Sequence, residues 1–151
     1  MRKHVEYVLH ICSQRLYLLT QLKKQGLPPA QLQSVFEAIL LSRVLYAAPA
    51  WRGYLKASEI DSLQQMFDRA RRWRILSKYI DAHEIFDKCE ATLFKASIKE
   101  KHCMYHLYPE KQHTHSVELR PRAHNFLLPK CKLQLATNSF INRSLFVHMY
   151  V

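Results

Sequence analysis

The chain is poor in glycine and long apolar runs, and each shortage excludes a class of protein. Only Gly26 and Gly53 are glycines among its 151 residues. All-β sandwiches and barrels usually need many glycine-containing turns, so the sequence favours a helical protein. The same shortage leaves no glycine-rich loop to cradle a nucleotide's phosphates. No apolar run reaches the roughly 18 residues that span a bilayer, and the first residues lack the apolar stretch of a signal peptide.

Acidic side chains are few and scattered. The chain has 12 Asp and Glu residues, and no two of them are adjacent. A nucleic-acid polymerase needs two or more carboxylates a few ångströms apart to hold paired Mg²⁺ ions. No pair of Asp residues sits at a hairpin signal. We therefore expect no polymerase site, no catalytic residues and no cofactor in this chain, and whether it belongs to an enzyme stays open at this point.

Cysteine and histidine are present without a recognisable metal or redox motif. Because the sequence shows no secretion signal, we expect the four cysteines to be reduced thiols in an intracellular protein of the cytoplasm or nucleus. Their wide spacing leaves no CxxC pair for redox chemistry or a zinc ribbon. Cys12 lies on an apolar stripe and is predicted to be core. His102 and His106 have an i, i+4 spacing that can bind zinc on a helix. No Glu lies between them as in a HExxH site, so we interpret them as a polar helix end and predict no metal site.

Apolar periodicity predicts an all-α bundle of about five helices with an extended, irregular tail. The predicted helices run over residues 4–24, 28–46, 58–75, 81–89 and 91–108. The domain organisation expected from this pattern is a helical domain over 4–108 and an extended basic tail over 109–151. In the tail, Leu133 and Leu135 alternate with polar residues as in a short strand. Residues 141–150 fit either a strand or a short helix.

Several residues predict where the helices begin and end. Gly26 is expected at the position after the first helix, where a left-handed conformation is common. Pro49 is expected to break the second helix, which is apolar nearly all round and therefore buried. Ser58 and Asp61 have the spacing of a capping box, and Asp81 is expected to cap the next helix.

Positive charge is the strongest functional signal. Lys and Arg number 23, giving a formal net charge of +11. Such an excess indicates a polyanionic partner, with nucleic acid favoured over a membrane surface. The best candidate site is a cluster at the end of the third helix: Arg69, Arg71, Arg72, Trp73, Arg74 and Lys78. Arginine forks bind phosphates and a tryptophan can stack on a base, whereas a helix dipole alone explains one or two cations.

A second basic stretch lies in the tail. It consists of Arg120, Arg122, Lys130, Lys132 and Arg143, interleaved with Phe126 and Phe140. Cations alternating with aromatic rings are typical of a surface that follows a nucleic-acid backbone. A solvated, extended tail is the alternative interpretation.

Three stretches carry a resemblance to a known family. Residues 42–53 read Ser-Arg-Val-Leu-Tyr-Ala-Ala-Pro-Ala-Trp-Arg-Gly, residues 120–129 read Arg-Pro-Arg-Ala-His-Asn-Phe-Leu-Leu-Pro, and residues 138–144 read Asn-Ser-Phe-Ile-Asn-Arg-Ser. Together with the Arg-rich helix end, they resemble the region after the palm in LINE-type, jockey-like non-LTR retrotransposon reverse transcriptases. The resemblance extends from about His4 to the last residues.

The resemblance implies a thumb and post-thumb region that grips an RNA or DNA template–primer beside an upstream polymerase domain missing from this chain. It transfers no catalytic residue, and only residues 69–74 are carried over as a nucleic-acid contact. A truncated copy of such an element is the expected origin. One alternative is a helical protein-interaction module, in which the apolar second helix and Trp51 would be exposed. A membrane-surface role for the first helix is disfavoured, because its polar face has few cations and includes Glu6.

Overall fold

The computed structural model describes residues 2–111 and 124–148, and it confirms the all-α class. Within these two ranges there is no β-strand, and strand-like pairing is limited to one bridge between Lys111 and Phe126. The helices are α1 (Arg2–Lys24), α2 (Pro29–Phe36), α3 (Ser42–Leu45), α4 (Ala48–Trp51), α5 (Ala57–Arg72), α6 (Ala82–Ser97), α7 (Gln134–Thr137) and α8 (Phe140–Val147). A π-helical segment, Glu37–Leu41, joins α2 to α3, and short 3₁₀ turns cover Arg52–Tyr54 and Tyr105–Leu107.

The chain divides into two compact units. The first unit is Met1–Ala48 with Leu55–Asp87, and the second is Pro49–Tyr54 with Lys88–Val151. Helix α6 therefore contributes residues to both units.

In the first unit, α1 packs against α2, α3 and α5. The predicted apolar stripe of α1 is confirmed, since Val5, Val8, Cys12, Leu16 and Leu19 are all buried. Phe36 of α2 and Phe67 of α5 meet edge to face, with ring centroids 6.4 Å apart. Arg43 keeps its guanidinium over the ring of Tyr7, 5.4 Å from the centroid, which gives this charge a partner at the edge of the core.

The second helix departs from its predicted form. Glu37–Leu41 forms a π-helical segment, where the chain is wider than an α-helix. The Arg15 guanidinium donates a hydrogen bond to the Ile39 carbonyl in this segment. The helix ends at Leu45, and Ala47 takes a left-handed conformation (φ 51°) before Pro49. The predicted end of this helix near Tyr46 is confirmed, whereas the expected connector is wrong, because Pro49 lies near the start of the short helix α4, where a missing N–H is tolerated.

The start of α5 also differs from the prediction. The helix begins at Ala57, and the Glu59 carboxylate accepts a hydrogen bond of 2.8 Å from the backbone N–H of Lys56. Ser58 and Asp61 therefore do not form the capping box. Glutamate has the longer side chain that this bond requires, and the helix accordingly starts one residue earlier than predicted, with Lys56 and not Ser58 at the N-cap.

Helix α6 replaces the two helices predicted over 81–108. The Asp81 cap is confirmed, since its Oδ1 accepts hydrogen bonds from the N–H groups of His83 (2.7 Å) and Glu84 (3.3 Å). The helix then runs without a break to Ser97. The apolar stripe of the helix does not continue through residues 99–103, which are charged, polar or cysteine. A helix depends on burying its apolar stripe, so α6 ends at this point. His102 and His106 therefore do not share a helical face.

The second unit has its own core, formed by Phe94, Tyr108, Phe126, Phe140 and Leu145. The Tyr108 hydroxyl lies 2.6 Å from Ser97 Oγ, and burial raises the pKa of Tyr108 above its usual 10.0. The strand predicted around Leu133 and Leu135 is wrong, because both side chains are exposed at the start of α7. Residues 140–147, left open between strand and helix, form α8 because Phe140, Ser144 and Leu145 share one buried helical face.

Candidate nucleic-acid interface

The candidate site lies where α5 ends, in a Schellman motif. The N–H of Ile75 bonds to the carbonyl of Ala70 (3.0 Å), and the N–H of Arg74 bonds to the carbonyl of Arg71 (2.8 Å). Arg74 has φ 53°, which is the left-handed conformation required at this position. Ala70 and Ile75 are both buried, so the turn is anchored in the core at each end. The helix therefore ends at a fixed geometry rather than fraying.

Arginine is an unusual residue for this left-handed position. A residue with a side chain costs about 1–2 kcal/mol there, whereas glycine adopts the conformation freely. The same motif ends α1 with glycine: Gly26 has φ 90°, its N–H bonds to Lys23, and the N–H of Leu27 bonds to Leu22. The chain thus uses glycine at one helix end and arginine at the other.

The side chains of the predicted cluster face solvent. Arg69, Arg71, Arg72, Arg74 and Lys78 are all exposed, and Trp73 is 42% exposed. The opposite face of α5 is buried through Leu63, Met66, Phe67 and Ala70. We name the group Arg69, Arg71, Arg72, Trp73 and Arg74 the α5 basic end.

No carboxylate of the described chain neutralises the four arginines of the α5 basic end. The ion pairs found within residues 2–111 and 124–148 lie elsewhere. Asp68 is one turn before Arg72, but its Oδ1 accepts a hydrogen bond from Gln64 (3.2 Å). The Arg71 guanidinium lies over the ring of Tyr79, 5.5 Å from the centroid. Such an aromatic contact orients the guanidinium and leaves its positive charge available to an anion.

Helix α1 adds two cations that the sequence argument did not include in the site. A groove beside Trp73 is lined by Thr20, Lys23, Lys24 and Trp73. The Lys23 ammonium donates a 2.6 Å hydrogen bond to the carbonyl of Trp73. Both lysines are exposed, and the sequence indicated only that they suit the helix dipole. Because Lys23 and Trp73 are 50 positions apart, no local pattern could have joined them.

The residues of the second basic stretch do not share one environment. Arg120 and Arg122 lie outside the described residues, and Lys130 and Lys132 are exposed. The interpretation of Arg143 as a surface contact is wrong, because its guanidinium pairs with the buried Glu90 carboxylate.

Phe126 and Phe140 are likewise not available to stack on bases, since both belong to the core of the second unit. An aromatic residue between cations looks the same in sequence whether it faces the core or the solvent.

Glu90 gathers two arginines in the second unit. Its carboxylate accepts hydrogen bonds from Arg143 and from Arg52, whose Nη1 lies 3.1 Å from Oε2. Gly53 makes room for this arrangement, because a Cβ added there would lie 1.7 Å from Arg143 Nη1. The group is a structural ion cluster, and it removes these two cations from the surface available to a ligand.

Other candidate chemistry is limited in the part of the chain that the structure describes. No group of three or more His, Cys, Asp or Glu side chains is placed there to hold a metal ion. Burial raises the pKa of the Cys12 thiol above its usual 9.0, against a smaller lowering by Arg15 and Arg43. Cys12 is fully buried, as predicted. None of the described helices is both long and apolar enough to cross a membrane.

Comparisons of the chain with protein-family models, with curated proteins and with solved structures give no significant match. Its function therefore has to be inferred from the chemistry of the α5 basic end and from the motifs in its sequence.

Proposed function

We propose that the chain is the helical, non-catalytic C-terminal region of a retrotransposon reverse transcriptase, and that its α5 basic end grips template–primer nucleic acid. The observation that carries the nucleic-acid part is a set of four exposed arginines around an exposed tryptophan, for which residues 2–111 and 124–148 supply no carboxylate partner. The polymerase part rests on the sequence motifs at 42–53, 120–129 and 138–144, for which an all-helical thumb-like body is the expected fold.

The chemistry of the α5 basic end suits a phosphate backbone. A guanidinium donates two parallel hydrogen bonds to phosphate oxygens, and it keeps its charge at any physiological pH. Several such groups at one helix end bind several phosphates and release their condensed counterions. Base edges are not needed for this mode of binding, so affinity is expected to be independent of nucleotide sequence.

The left-handed Arg74 adds a second reason to assign this surface to a ligand. Backbone strain of this kind clusters at functional sites, where the strained side chain performs a task that the relaxed residue cannot. Glycine at position 74 would relieve the strain and lose a cation. The chain has glycine at the matching position of α1, which shows that the motif itself tolerates it.

The alternative of a protein-interaction module rested on an exposed second helix and an exposed Trp51. Phe36, Leu40 and Val44 are buried along that helix, and Trp51 is only 5% exposed. These residues are therefore not exposed as that alternative expected, and they give it no support.

The test is the salt dependence of binding to an RNA–DNA hybrid, measured by fluorescence anisotropy. The slope of log affinity against log salt should fall in magnitude by roughly 0.7–0.9 for each phosphate contact removed in the variant Arg71→Ala/Arg72→Ala/Arg74→Ala. The matched control is Lys95→Ala/Lys99→Ala/Lys101→Ala, which removes the same charge from exposed positions in the second unit. Equal losses in the two variants would mean that overall charge, and not the α5 basic end, binds the nucleic acid.

A further inference from the structure

Trp73 is much more exposed to solvent than Trp51, the other tryptophan of the chain. Trp51 is 5% exposed, whereas Trp73 is 42% exposed. Its backbone is held on both sides: its N–H bonds to the Arg69 carbonyl at 3.0 Å, and its carbonyl accepts the Lys23 ammonium at 2.6 Å. A large aromatic side chain on a fixed backbone presents a stable apolar surface to solvent, at a site where burial would otherwise be favourable.

A groove of about 340 Å³ adjoins this tryptophan. Its lining consists of Thr20, Lys23, Lys24 and Trp73 and contains no carboxylate. Arg72 and Arg74 flank Trp73 in the chain, and both are exposed. The groove therefore combines one aromatic surface with two cations from the end of α1, and exposed arginines precede and follow its tryptophan in the chain.

We propose that this groove holds an unpaired nucleobase stacked on Trp73, with the phosphates on either side of that base bound by the surrounding cations. The proposal rests on the nucleic-acid function proposed above and names the form of the ligand. Bases inside a duplex are already stacked on their neighbours and held by their pairing, so an unpaired base is the form of the ligand that can lie against an indole. The surface should therefore prefer single-stranded nucleotides to blunt duplex.

Charge complementarity favours a nucleotide over other occupants of an aromatic groove. An apolar chain or an aromatic peptide would stack on Trp73 but would leave Lys23, Lys24 and the arginines without an anion. A nucleotide supplies both groups at once, because each base is joined to a phosphate.

The experiment uses the full chain and its tryptophan fluorescence. The probes are a short oligodeoxythymidylate and a blunt DNA duplex with the same number of phosphates. We expect the single strand to bind more tightly, to quench the emission of Trp73 and to protect it from acrylamide, while the buried Trp51 stays insensitive. Trp73→Ala should weaken single-strand binding roughly 5- to 100-fold and leave duplex binding unchanged, since stacking is the interaction lost.

Trp73→Phe is the conservative variant and should keep most of the single-strand affinity. Equal effects of Trp73→Ala on both probes, or no acrylamide protection in the wild-type chain, would overturn the stacking proposal while leaving the phosphate-binding proposal standing. The wild-type protection measurement decides the matter even if the alanine variant fails to fold. Absence of binding to both probes at low salt would instead overturn the proposed function itself.

Discussion

Because Arg74 has a left-handed conformation, we predict that a variant with glycine at this position is more stable than a variant with alanine. We compare Arg74→Gly with Arg74→Ala, because both variants lose the guanidinium and its interaction with the helix dipole. Glycine removes strain of about 1–2 kcal/mol. Glycine also gives the unfolded chain more conformational entropy, which lowers the free energy of unfolding by about 0.5–1 kcal/mol. The glycine variant should therefore be more stable than the alanine variant by about 0.5–1 kcal/mol, or about 1–4 °C in Tm.

The first helix end provides the matched control. Gly26 has φ 90°, and a Cβ added there would meet nothing within 4 Å. Gly26→Ala therefore changes the backbone strain without a steric clash, and it should lower the free energy of unfolding by a similar amount. One comparison relieves left-handed strain by introducing glycine, and the other introduces such strain by removing glycine, in the same protein.

Urea unfolding followed by circular dichroism measures both differences. The same proteins are then tested for binding to the RNA–DNA hybrid, where Arg74→Gly and Arg74→Ala should lose affinity equally because neither has a guanidinium. An Arg74→Gly variant no more stable than Arg74→Ala would refute the strain argument. Unchanged binding in both would remove Arg74 from the site.

Three further predictions concern buried groups. Glu90→Gln should lower the free energy of unfolding by about 2–3 kcal/mol, because it removes the carboxylate that pairs with the largely buried Arg143 and with Arg52. Thermal unfolding measures this loss, and a value below about 0.5 kcal/mol would contradict the prediction. Burial raises the pKa of Cys12 in the folded state, so its contribution to stability is present below about pH 9 and is lost as the pH rises through the raised value. Urea unfolding at about pH 8 and about pH 10 should therefore show a larger loss in the free energy of unfolding for wild type than for Cys12→Ala. A thiol reagent at neutral pH should react with the exposed Cys103 and reach Cys12 only on unfolding; equal labelling rates would contradict its burial.

Features controlled by neighbouring residues could be predicted from the sequence. The buried face of α1 follows from apolar side chains at helical spacing, and its end follows from Gly26. The Asp81 cap follows from a short polar side chain before an apolar run. These features depend on contacts within one or two helical turns, so the sequence pattern contains the information that determines them.

Features controlled by distant residues could not be predicted in the same way. The π-helical segment at Glu37–Leu41 has a partner, Arg15, two dozen positions earlier. Arg143 looked like a surface cation because its counterion Glu90 lies 53 positions away. A sequence shows that a residue is charged, but only the fold decides whether that charge faces a carboxylate or the solvent.

The candidate site shows the same division. The exposure of Arg69, Arg71 and Arg72 could be predicted, because Leu63, Phe67 and Ala70 fix the buried face of the helix and leave these arginines off it. The same pattern left open whether Trp73 belongs to the core. The contribution of Lys23 and the groove beside Trp73 was not predicted, since it depends on how α1 packs against α5.

The helix dipole is the simplest competing reason for cations at the end of α5, and the magnitudes argue against it as the full explanation. A cation at an exposed helix C-terminus contributes about 0.3–1 kcal/mol, and the effect is confined to the last turn. One or two cations obtain most of this benefit, while further ones repel each other. At Arg74 glycine would avoid strain of about 1–2 kcal/mol and would cost about 0.5–1 kcal/mol in the unfolded chain, so its net advantage is about as large as the dipole gain of an arginine. Stability alone therefore gives arginine no clear advantage over glycine at position 74 and does not explain four arginines at one helix end, which is why we propose an anion that binds from outside.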